Sequence, residues 1–108
     1  MEGKVVNIYK EEFDVYIGRA NPRLNLPESP FYNPFHIGKD GSRDDVCDKY
    51  EERLREHPDL IKRVRKELKG KVLGCYCAPL RCHGDLLRFI ANCTEEQFQR
   101  WLAYSKSK

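Results

Sequence analysis

Apolar positions along this chain repeat with two periods. Lys4-Val5-Val6-Asn7-Ile8-Tyr9 and Asp14-Val15-Tyr16-Ile17-Gly18 are rich in β-branched and aromatic residues, and each predicts a strand. Lys10-Glu11-Glu12 between them is charged and short enough for a hairpin. Further on, Val46, Tyr50 and Leu54 recur every four residues, the spacing of one helical face. Ser42, followed by Asp44 and Asp45, supplies that helix with a cap and with acids in its first turn. Leu60, Ile61, Val64 and Leu68 form the stripe of a second helix that starts at Pro58 and stops at Gly70. Lys71-Val72-Leu73-Gly74-Cys75-Tyr76-Cys77 is short, mostly apolar and bounded by glycine and proline, the mark of a buried strand. Residues 84–93 read as a helix with Leu86, Leu87, Phe89 and Ile90 inward. Thr94-Glu95-Glu96-Gln97 then matches a capping box opening a last helix that carries Phe98, Trp101 and Leu102. Residues 105–108 are expected to fray.

Between the second strand and the first helix lies an irregular segment, residues 19–41. It holds Pro22, Pro27, Pro30 and Pro34, and Gly38 and Gly41 close it. A loop of that length is either disordered or a functional lid. The aromatics Phe31, Tyr32 and Phe35 favour an ordered loop or lid that packs. The order is therefore β β loop α α β α α. A helical crossover between the second and third strands predicts a parallel pairing. The expected fold is α/β: one domain over residues 1–108, a small open, largely parallel, Rossmann-like sheet of about three strands or more, flanked by helices.

Composition narrows the class. Hydrophobic residues are 40% and charged residues 34%, a globular balance. No apolar run is long enough for a membrane span, and Met1-Glu2-Gly3-Lys4 is not the start of a signal peptide, so no membrane partner is expected. Twenty Lys and Arg against 17 Asp and Glu leave +3, which neither requires nor forbids nucleic acid. The five cysteines, Cys47, Cys75, Cys77, Cys82 and Cys93, change the picture more. An odd count without a secretion signal argues for reduced thiols and a cytoplasmic location rather than a disulfide framework.

Three of those thiols and His83 crowd one strand–loop–helix junction. In open α/β sheets ligands bind at such junctions, where loops flank a crevice and helix amides point into it. Gly84 permits close approach, and Arg81 adds a fixed positive charge, so the junction suits a phosphate or carboxylate. Cys82, at the helix start, is the candidate nucleophile, since helix amides stabilise a thiolate there; its ordinary role would be a small buried residue. Asp85 is a candidate general base, against the plainer role of charge in a first helical turn. Cys75, Cys77, Cys82 and His83 could in principle hold zinc, although their spacing is poor for a knuckle. Cys75 and Arg81 have the separation of a cysteine phosphatase loop, but Pro79 removes an amide such a loop needs.

The other half of the site is expected from the N-terminal segment. Arg19 ends the second strand, and a parallel third strand would put it on the edge shared with Cys77. Asn33-Pro34-Phe35-His36-Ile37-Gly38 offers polar groups on a rigid turn, and Arg43 adds a further guanidinium. His36 and His57 have surface histidine as their ordinary role. Lys62, Arg63, Arg65, Lys66 and Lys69 cluster on the second helix, either as a solvated face or as a phosphate contact.

The set Tyr16-Ile17-Gly18-Arg19, Asn33-Pro34-Phe35, Gly41-Ser42-Arg43, Gly70-Lys71, and Cys75-Tyr76-Cys77-Ala78-Pro79 with Cys82-His83-Gly84-Asp85 resembles, in this order, the domain-of-unknown-function family numbered 4326. The resemblance runs over roughly residues 5–90, and residues 20–32 depart from the family's linker. Its members are small proteins or domains of phages, bacteria, archaea and some eukaryotes. It implies a shared site and brings no reaction.

Three functions compete. The leading expectation is binding of a nucleotide or another phosphorylated small molecule, with a nucleotide-processing reaction as its extension. Arg19, Asn33, Arg43, Arg81, His83 and Gly84 would bind; Cys82 or Asp85 would react; no cofactor is required. The second is a zinc-stabilised, non-enzymatic interaction module, with nucleic acid as a conceivable partner. The third is a phage-type accessory protein that docks a host protein through the aromatic loop from Phe31 to Phe35.

Overall fold

In the computed structural model, which describes residues 2–104, three strands form one sheet. They are β1 (Lys4–Asn7), β2 (Val15–Tyr16) and β3 (Val72–Cys75), in the order β1-β3-β2. Both outer strands run parallel to β3, with Val5 opposite Leu73 on one side and Val15 opposite Leu73 on the other. Four helices complete the chain: α1 (Arg43–Arg55), α2 (Pro58–Glu67), α3 (His83–Asn92) and α4 (Glu95–Ala103). This is a small α/β fold with an open parallel sheet, as the order of elements led one to expect. The expected fraying of residues 105–108 lies outside the described residues. No helix among the described residues is long and apolar enough to cross a membrane.

One expectation fails. β1 and β2 do not form a hairpin: β3 lies between them. The Ile8 amide still donates to the Cys75 carbonyl, and the Asp14 amide donates to the Val72 carbonyl, so residues 8–14 pass from one edge of β3 to the other. The passage is possible because Gly74 has no side chain. A Cβ there would fall 2.6 Å from Phe13 Cγ and 2.9 Å from Ile8 Cγ2. Alternation marks a segment as a strand but carries nothing about which neighbour it pairs with, and the charged connection is exposed either way.

Pleating sorts the sheet residues. Val6, Gly74 and Tyr16 share one row and face the 8–14 passage. Val5, Leu73, Val15, Cys75 and Ile17 face the helices. There the core forms, with Ile17, Leu73, Leu87, Ile90, Val64, Leu68 and Leu54 each at most 1% exposed. Full burial of such side chains is worth about 1.5–3 kcal/mol each. α3 comes close enough to the sheet to need Gly84: a Cβ at that position would lie 2.7 Å from Ile17 Cδ1 and 3.0 Å from Val5 Cγ1.

Residues 19–41 are ordered by their own contacts. Asn21 and Leu26 exchange backbone hydrogen bonds around a 3-10 turn at Pro22–Leu24, and Asn25 closes it in the left-handed region at φ 54°. Phe31 is buried in the core, where its carbonyl accepts from the Tyr50 hydroxyl at 2.9 Å. The Asn33 side chain donates to the Val46 carbonyl and accepts from the Phe35 amide, tying the segment to α1.

Candidate functional site

Parallel strands end together, and here their C-terminal ends open into a cavity of about 360 Å³. Gly18 and Arg19 enter it from the end of β2, and Tyr76 and Cys77 from the end of β3. Arg43 and Cys47 come from the first turns of α1, Cys82 and His83 from the start of α3, and Phe35 and Ile37 from the long segment. Arg81 lines it as well, and among the described residues no Asp or Glu does. The volume falls in the range of small-molecule sites.

The arginines differ in how far they are committed. Arg19 Nη2 donates to the carbonyls of Asn33 at 3.0 Å and Phe35 at 2.9 Å, while its buried Nε has no partner among the described residues. Arg43 Nη1 donates to the Arg81 carbonyl at 3.1 Å, and its guanidinium meets the Cys77 thiol. Arg81 reaches away, to Asp44 at 2.9 Å and Asp48 at 3.1 Å, so its charge is largely answered by α1. Among the described residues Arg19 and Arg43 have no carboxylate partner, and these two guanidiniums set the sign of the cavity.

The thiols form a contact chain. Cys75 and Cys82 Sγ lie 3.3 Å apart, both buried. Cys77 also bonds Cys75. The bond from Cys77 lowers the pKa of Cys75, but the bond with Cys82 and burial outweigh it, and the net direction is up. Cys77 is raised by its bond to Cys75 and by burial, and Cys47 by burial. These three thiols are held protonated at neutral pH, a poor state for nucleophiles.

Cys82 occupies the N-cap of α3. Its Sγ accepts from the Gly84 amide at 3.3 Å, and Asp85 Oδ2 accepts from the Cys82 amide at 3.2 Å, so the pair makes a capping box. Asp85 therefore stands outside the cavity lining, exposed on the first turn of α3. Gly84 also lies outside the lining, against Ile17 and Val5. His83 is buried, and its Nε2 donates to the Ile17 carbonyl at 2.7 Å. Tyr50 meets the ring edge-on, with centroids 4.9 Å apart. Burial pushes the His83 pKa down to about 4.

The structure thus brings Arg19, Asn33, Arg43, Arg81, Cys82 and His83 to one cavity and leaves Gly84 and Asp85 behind it. Asn33 arrives with its amide already engaged within the protein. With His83 turned to Ile17, the quartet Cys75, Cys77, Cys82 and His83 does not converge. Among the described residues no group of three or more His, Cys, Asp or Glu is placed to hold a metal ion. The basic cluster of α2 is also partly engaged: Arg63 pairs with Glu67, and Arg65 donates to the Ile90 carbonyl and stacks on Phe98.

Sequence reading missed Phe35, Tyr76 and Cys47 as lining residues, and missed Asn7. The Asn7 amide donates to the Tyr76 and Ala78 carbonyls and so anchors the loop after β3. Alternation could not find Tyr76, since it sets that side chain opposite Cys75 and Cys77, which line the same cavity.

The family described as Domain of unknown function (DUF4326) matches residues 4–93. The chain is similar to an uncharacterized 12.4 kDa protein in the nrdA-td intergenic region of Enterobacteria phage T4. The two are 34% identical over 93 residues, covering 82% of this chain and 77% of the phage protein. It is also similar to uncharacterized protein R718 of Acanthamoeba polyphaga mimivirus, at 39% identity over 84 residues, covering 68% of this chain and 63% of the viral protein. No solved structure matches.

Proposed function

The chain belongs to the family described as Domain of unknown function (DUF4326), and we propose that its cavity binds a nucleotide or another phosphorylated small molecule. One observation carries this reading. Among the described residues, Arg19 and Arg43 line a cavity at the C-terminal ends of parallel strands, no Asp or Glu lines it, and the buried Arg19 Nε has no partner. A buried guanidinium nitrogen without an acceptor is costly, and an anionic oxygen removes that cost. Phe35, Tyr76 and Leu80 add apolar surface of the kind that covers a base or sugar. A cytoplasmic setting with reduced thiols belongs to the same reading. Cys82 and Asp85 have no part in it as reacting groups: the first is a cap buried beside another thiol, and the second lies outside the cavity.

The test is thermal denaturation with inorganic phosphate, nucleoside monophosphates, nucleoside triphosphates and sugar phosphates. A ligand at a hundred times its Kd stabilises the native state by about 2.7 kcal/mol. The expected outcome is a rise in Tm with at least one phosphorylated compound, abolished in Arg43→Met. Absence of any rise at millimolar concentrations across the set would overturn the reading.

A further inference from the structure

Beside the cavity runs a second depression of about 490 Å³, and the two meet at Arg19 and Tyr76, which line both. Tyr9, Tyr16 and Arg23 line the second one, and again no Asp or Glu does. Tyr9 is 57% and Tyr76 50% exposed, so each presents a ring to solvent. The Tyr9 and Tyr16 rings are held in place. The Asn21 amide donates to the Tyr9 hydroxyl at 3.0 Å, and the Tyr16 hydroxyl donates to the Arg19 carbonyl. Arg23, on the 3-10 turn, makes no ion pair among the described residues.

We infer that cavity and groove together bind single-stranded nucleic acid, one nucleotide in the cavity and its neighbour along the tyrosines. This rests on the cavity being a nucleotide site, and it names the substrate class: an oligonucleotide rather than a free mononucleotide. Exposed rings interleaved with guanidiniums match a polyanion whose planar groups are unstacked, because every base offers a face to an aromatic ring and every linkage offers a phosphate to arginine. Two aromatic stations and Arg19, Arg23 and Arg43 lie along one path whose lining, among the described residues, holds no Asp or Glu. In a chain with 17 acidic residues this is a selective absence. The charge complementarity belongs to this face, since the arginines of α2 are engaged by Glu67, Glu95 and a backbone carbonyl.

The experiment is fluorescence anisotropy with a short 5′-labelled oligothymidylate, competed by thymidine monophosphate and by a duplex of the same length. The oligonucleotide is expected to bind about tenfold or more tighter than the monophosphate, as stacking on one additional ring gives. Tyr9→Ala and Arg23→Ala each lower the oligonucleotide-to-monophosphate affinity ratio, and Tyr9→Trp restores it. Arg23→Ala also reduces the slope of log affinity against log salt by about one. Circular dichroism melts confirm that the variants fold. A ratio near one in the wild type, a ratio untouched by both substitutions, or equal competition by the duplex overturns the inference while the cavity reading stands. Failure of every ligand to bind overturns both.

Discussion

His83 follows Cys82 in the chain and lines the same cavity, yet its Nε2 donates to the Ile17 carbonyl rather than to a thiol. A residue at the start of a helix points where the backbone of the first turn sends it, here onto Ile17 and Tyr50. Adjacent side chains diverge, and among the described residues the ring joins no cluster with the thiols that could hold a metal. The consequence is measurable. Burial depresses the pKa from 6.5 to about 4, so the native ring stays neutral while the unfolded chain takes up a proton near 6.5. The contribution of His83 to stability is complete above the unfolded value and is lost as pH falls towards the folded one. It amounts to about 1.4 kcal/mol per pH unit, on the order of 3 kcal/mol in all. His83→Gln keeps a donor for the Ile17 carbonyl without the titration. Denaturant midpoints of wild type and variant are expected to converge as pH falls through that window, or to cross. Parallel curves would contradict the assignment.

Arg19 shows the opposite case, in which the sequence was informative. A strand-end arginine in a parallel sheet must emerge at the edge where the cavity opens, and it does. Its unpartnered Nε could not be foreseen, because that depends on where the carbonyls of Asn33 and Phe35, far along the chain, come to rest.

At the level of elements, caps decide what was legible. Ser42 with Asp45 and Thr94 with Gln97 form capping boxes that the residues announce. The box at α3 is built from Cys82 and Asp85, and cysteine is not a residue one reads as a cap. The helix start that makes Cys82 a candidate nucleophile is also where a cap must sit, so the residues alone do not separate the two roles. Asp85→Ala is therefore expected to lower the unfolding free energy by about 1 kcal/mol and to leave phosphate-ligand affinity intact. Loss of binding with an unaltered melting temperature would return Asp85 to the site. Gly74 belongs to the same scale. Its close contacts with Phe13 and Ile8 leave no room for a methyl group. Gly74→Ala should destabilise the protein by about 1–3 kcal/mol in chemical denaturation, and a neutral outcome would mean that the passage over β3 is looser than described.

For the whole molecule, the central place of β3 is the organising fact. β1 and β2 were legible as strands and β3 as a buried one, but the order β1-β3-β2 was not, since nothing in a strand's own residues names its partners. Neither outer strand bonds the other, so both depend on a segment about 60 residues later. A fragment ending at residue 70 is expected to retain no sheet. Amide hydrogen exchange should find the amides of β1 and β2 unprotected in the fragment and protected in the full chain. Protected strand amides in the fragment would refute the topology.

The same arrangement has a meaning during synthesis. The first two strands leave the ribosome with no mate, and they wait while both helices of the crossover are made. Only when β3 and then α3 have cleared the exit tunnel can the sheet close and the cavity acquire its second wall. The nascent chain therefore carries bare strand edges from the emergence of β2 until that of β3, and the time taken to add as many residues as separate the two strands sets how long that exposure lasts.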